Sequence, residues 1–138
     1  MWKIYALLSA LFAALTAIFA KIGVKDVDSN LATAIRTSII LLFTWGIVVA
    51  SGHLSEVKTV PRMTWVFLVL SGLATGFSWL FYFKAIQLGD VSRVVPIDKL
   101  SVVFTILLAC IILKEPMAPR VIAGGLLITA GAIVMIWK

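Results

Sequence analysis

Within the run VVPIDKLSVVF, Asp98 and Lys99 stand side by side in an otherwise apolar, β-branched stretch, two residues after Pro96. A carboxylate and an ammonium at this spacing can bind a charged solute, move a proton, or join a structural ion pair. Adjacent residues on one helix diverge by about 100°, so the two are expected to seek other partners. Lys21, Arg36, Lys84 and Arg93 are the candidates at similar depth, and Asp98 with Arg36 or Lys21 is the favoured ion pair. The remaining cation would then meet an anionic group on a solute, a carbonyl or a lipid headgroup. A purely structural network with snorkelling lysines explains the same residues. Hydroxyls extend the pattern. Ser101 and Thr105 follow Asp98 at helical spacing, and Ser71, Thr75, Ser78 and Tyr82 form a second stripe with Trp79 beside it. Spacings of three and four hold such residues on one helix face. The two stripes suit a cavity for an amphipathic solute, with Trp79 and Tyr82 as its aromatic wall. Bonding of each hydroxyl to its own helix is the plainer alternative.

The elements that must position these groups belong in lipid. The chain is 62% hydrophobic and 13% charged, against about 45–50% and about 25% for soluble domains. A spanning helix needs roughly 20 mostly apolar residues. Five segments qualify, at about 4–24, 31–51, 63–83, 91–113 and 119–137. The first exceeds the usual length of a signal-peptide core and four more follow it, so it is read as a retained helix. Backbone groups in lipid must bond internally, so the expected fold is an all-α bundle of five transmembrane helices in one domain, 1–138. VKDVDSN has the Asp, Ser and Asn content of a turn feeding a helix cap. The two prolines of KEPMAP suit helix starts. Pro96 removes a backbone donor and can kink the fourth helix. Cys110, the one cysteine, reads as a small packing residue, and His53 as a solvated loop residue.

An odd number of spans puts the termini on opposite sides. One side then carries Lys3, Lys58, Arg62, Lys114 and Arg120. The other carries Lys21, Lys25, Lys84 and Lys138, with Arg36 and Arg93 added if helix ends count. Basic loop residues normally fix orientation, and this near balance points either to one or two dominant residues or to insertion both ways up. Two copies in opposite orientations reproduce the inverted repeats of many secondary transporters, whose substrate site lies at the repeat interface. Small residues mark possible helix contacts. Ser9, Ala13, Thr16 and Ala20 on the first helix, and Gly72 and Gly76 on the third, are assigned to packing within the subunit. Gly124, Gly125 and Gly131 on the last are assigned to a dimer interface.

The net charge of +6 is attributed to loops and helix ends, and no nucleic-acid partner is expected. No nucleophile–base set or metal cluster is visible, so neither an enzyme nor a cofactor is expected. The runs LGDVSRVVPIDKLSVVFTILLACIILKEP and GGLLITAGAIVMIW resemble the C-terminal half of an EamA domain of the drug/metabolite transporter superfamily. AKIGVKDVDSNLATAIRT is similar to the small, single-domain bacterial and archaeal members. The segment Gly-Asp-x-Ser-Arg-Val-x-Pro and Glu115 are the most specific parts of the resemblance. It implies a multi-pass protein of the cell membrane and a transporter built from two copies, with a central cavity lined partly by helices 3 and 4. The related four-helix multidrug exporters use a glutamate in helix 1. The first span here holds no acid, Asp26 lying past its end, so any proton coupling falls to Asp98. A half-size secondary transporter of a small metabolite, acting as an antiparallel homodimer by alternating access, is the resulting expectation. A lipid or polyprenyl-phosphate flippase and an accessory structural subunit are the alternatives.

Overall fold

The computed structural model describes residues 1–137; Lys138, one of the cations weighed above, lies outside them. Among the described residues there is no strand, and five helical spans are long and apolar enough to cross a membrane. They are α1 (Trp2–Gly23), α2 (Ser29–Ala50), α3 (Arg62–Leu88), the pair α4 (Val91–Asp98) and α5 (Ser101–Ile112) forming one span, and α6 (Pro119–Ile136).

The helix ends follow from local chemistry. Asp28 caps α2, its Oδ1 accepting from the backbone N–H of Asn30 at 2.9 Å and of Leu31 at 3.1 Å. The cap satisfies two of the orphan donors that open every helix. At the far end of α2, Gly52 takes a left-handed φ of 76° and its N–H reaches back to Val49 O at 3.1 Å. A residue with a Cβ is strained in that conformation. The chain then enters a 3-10 helix, His53–Thr59, where the sequence suggests only a loop. Lys114 holds the same left-handed region (φ 54°) after α5, and Glu115 N bonds Ala109 O at 3.3 Å. That bond closes the helix in the manner usually given to glycine. Pro119 opens α6, where its missing N–H costs nothing.

Two elements depart from expectation. α3 runs on to Leu88 rather than stopping near 83. The added Lys-Ala-Ile-Gln-Leu segment consists mostly of good helix formers, and Gly89 follows where it ends. At about 1.5 Å per residue α3 outruns a hydrocarbon core about 30 Å thick. The fourth span is broken at Lys99–Leu100 instead of continuous. Leu100 N bonds Ile97 O at 3.0 Å and Val102 N bonds Lys99 O at 3.0 Å, both three residues back. Pro96 inside α4 cannot donate, and a proline ring crowds the preceding turn.

The helices form two compact units. One, Phe19–Gln87, joins the end of α1 to α2 and α3. Its core holds Ala20, Val24, Ser29, Thr33, Phe83 and Ile86, residues from where α1 ends, α2 starts and α3 ends. The other, Met1–Ile18 with the chain from Leu88 onward, packs α6 on α4 and α5. Small residues dominate there. Ala17, Gly125 and Ala132 are buried, and a Cβ at Gly125 would touch Ile106 Cδ1 at 3.5 Å. Elsewhere the spans present Leu, Ile and Phe outward, as with Leu42, Phe81 and Leu127. No spanning window is more than 11% buried.

Candidate functional site

In the unit Phe19–Gln87, sequence-distant polar groups converge on the end of α3. Trp79 and Phe83 are four apart and share a helix face. The Arg36 guanidinium lies over both rings, 4.4 Å from the centroid of Trp79 and 5.0 Å from that of Phe83. Tyr82 meets Phe83 edge-on, with centroids 6.2 Å apart and planes at 71°. One turn further, Lys21 Nζ donates to Ile86 O at 2.7 Å. The last four carbonyls of a helix have no partner within it, and a cation there also complements the helix dipole. Lys21 of α1 thus caps α3. Gln87 Nε2 donates to Val24 O at 3.2 Å and Val27 O at 2.9 Å, tying the α1–α2 turn to α3. A groove of about 510 Å³ opens beside this clasp, lined by Lys21, Ile22, Val24, Lys25 and Gln87.

In the other unit, Asp98 Oδ2 and Lys99 Nζ are 3.7 Å apart, with side chains 38% and 54% exposed respectively. The expectation that the two neighbouring side chains turn away from each other is not met. Lys99 keeps right-handed helical backbone (φ −68°, ψ −10°) at the end of α4, so the contact comes from its long, flexible side chain bending back. The adjacent ammonium can therefore reach the carboxylate. Arg36 rests on aromatic faces and Lys21 on a carbonyl. Ser101 and Thr105 are exposed on α5, as is Arg93 on α4.

The α3 stripe is mixed. Ser71 and Ser78 are exposed, Trp79 and Tyr82 are half-buried, and Thr75 Oγ1 donates to Ser71 O at 2.9 Å. Thr33, Thr37, Ser38 and Thr44 on α2 make the same back-bond, so a hydroxyl in these spans is by itself weak evidence of a cavity. Lys84 is exposed on α3. On α6, Gly125 is buried within its own chain, where a Cβ would meet Ile106. A Cβ on Gly124 or Gly131 would meet nothing within 4 Å. His53 and Glu56 form an exposed pair at 3.8 Å in the 3-10 segment. Among the described residues no three His, Cys, Asp or Glu side chains are grouped to hold a metal.

Phe83 and Gln87 are the residues that sequence reasoning missed. Phe83 was findable, being the apolar residue one turn beyond Trp79. Gln87 carries no such signal, since an amide near a helix end is ordinary.

Residues 1–137 match the EamA-like transporter family. A Sinorhizobium protein described as an uncharacterized transporter in the cobO 3′ region is 48% identical over 134 residues, which cover 97% of this chain and 95% of that protein. No solved structure matches the chain. A match of this extent agrees with the five apolar spans and with the resemblance seen in the sequence: the chain belongs to the EamA-like transporter family and is a multi-pass membrane transporter.

Proposed function

We propose that the chain is half of a secondary transporter and that two copies in opposite orientations move a small metabolite or amphipathic solute by alternating access. The observation that carries this reading is how little of the spans is buried within one chain, at most 11% of any spanning window. Large apolar areas are left for lipid or for a second copy. The near balance of basic residues across the two sides favours that copy being inverted. The broken α4–α5 span adds support, because interrupted helices line the binding sites of many transporters. In this arrangement Asp98 and Lys99 face the shared cavity, with Ser101 and Thr105 below them. Ser71, Thr75, Ser78, Trp79 and Tyr82 of α3 contribute another wall, and Arg36, Lys21 and Arg93 supply positive charge. Gly124 and Gly131 offer a smooth stripe for close helix approach between copies.

Dilution tests the dimer. Uptake of a panel of labelled metabolites is measured in proteoliposomes over a series of protein-to-lipid ratios. The rate per chain falls as the chain is diluted in lipid. Gly131→Trp weakens association by about tenfold or more, so its rate falls at higher chain density while its helix content is unchanged. A rate per chain that is constant on dilution, in both proteins, refutes the proposal.

A further inference from the structure

We infer that Arg36, laid on Trp79 and Phe83, is an oxyanion subsite, and that the transported solute carries a carboxylate or phosphate group beside an apolar or aromatic body. This rests on the reading of Arg36 as a cavity residue and names the substrate class that the cavity accepts.

Depth comes first. Arg36 is the eighth residue of the span Ser29–Ala50, so at about 1.5 Å per residue it lies about 5 Å short of the middle. A charge at that level is costly to insert, and such residues face a cavity or a partner. The second point is what answers it. In its own unit Glu56 pairs with His53 and Asp28 caps α2, and no ion pair among the described residues of that unit includes Arg36. Two rings lie beneath it, at 4.4 and 5.0 Å, and Tyr82 also acts on its charge. A ring attracts the cation through its quadrupole and accepts no strong hydrogen bond. The five N–H donors of a guanidinium lie in its plane, in a fork that matches a carboxylate or phosphate. The ring contacts therefore hold the cation in one place without using up the donors that an oxyanion would need. Lysine lacks both the plane and the fork, which separates charge from geometry in a test.

Two sources supply this chemistry, a soluble organic anion and an anionic lipid headgroup. Phenylacetate is the probe for the first and phosphatidylglycerol for the second. A variant keeping Trp79 as its single tryptophan, the others replaced by Phe, is placed in phosphatidylcholine nanodiscs and Trp79 fluorescence is followed. Phenylacetate gives a saturable change, and the neutral phenylacetamide binds about 10–100-fold more weakly. Arg36→Gln weakens phenylacetate binding by the same factor, and Arg36→Lys by less. If phosphatidylglycerol in the nanodisc produces the change, blocks phenylacetate and has no effect on Arg36→Gln, the subsite stands with lipid as its anion. Equal binding of phenylacetate and phenylacetamide, an Arg36→Gln protein that binds like the parent, or no response to either anion overturns the inference. The readout is binding, so any of these results leaves the antiparallel dimer to be judged by its own measurements.

Discussion

Asp98→Asn lowers transport by about 10–100-fold while the protein stays folded, and Lys99→Ala does the same. The magnitude is that of one lost charge-assisted hydrogen bond, about 1.5–3 kcal/mol, taken from whatever solute or proton the pair engages. The fold is spared because, in the proposed dimer, the pair, 3.7 Å apart and half-exposed in the single chain, faces a water-filled cavity and not a packed core. Exposed ion pairs contribute about 0–1 kcal/mol. A buried structural bridge behaves in the opposite way, since removing one partner strands a charge and destabilises strongly. Rates of uptake in proteoliposomes, read beside thermal unfolding in detergent, separate the two roles. Full-rate uptake by both variants, or a large loss of stability in either, removes Asp98 and Lys99 from the solute pathway.

Phe83→Ala has the largest expected effect on stability. Phe83 is 2% exposed and belongs to the small core at the end of α3, with Val24 and Ile86. Truncating such a ring leaves a cavity and costs about 3–5 kcal/mol. It also removes one of the two rings beneath Arg36. Phe83→Leu keeps much of the volume, so the cost falls well below that of the alanine variant. Gln87→Leu gives an independent comparison, since it leaves Val24 O and Val27 O without the amide that bonds them. Unfolding of the purified protein in mixed micelles measures all three. A Phe83→Ala protein as stable as the parent contradicts the placement of the core.

The spans were legible because lipid imposes length and apolarity together, which no loop can imitate. Asp28 and Pro119 were legible because cap and helix-start chemistry is local. The break at Lys99–Leu100 was half legible. Pro96 announces a disturbance, but the backbone bonds that absorb it decide where it falls. Asp98 meets Lys99 although neighbours on a helix diverge, because the lysine stem is long and flexible enough to reach back. In the other unit the ring and carbonyl contacts of Arg36 and Lys21 carry no signal in the sequence. A charge in an apolar sequence suggests an opposite charge, whereas aromatic faces and helix-end carbonyls serve Arg36 and Lys21. Spacing likewise put Gly124 and Gly131 on one face but could not tell that Gly125 meets Ile106.

The central claim is that an inverted second copy completes the machine. Accessibility of tags at the two termini, in sealed native membranes, tests it most directly. Two populations are predicted, with each terminus labelled from both faces of the membrane in comparable amounts. Labelling of each terminus from one face alone, and of the two termini from opposite faces, means a single orientation and contradicts the account.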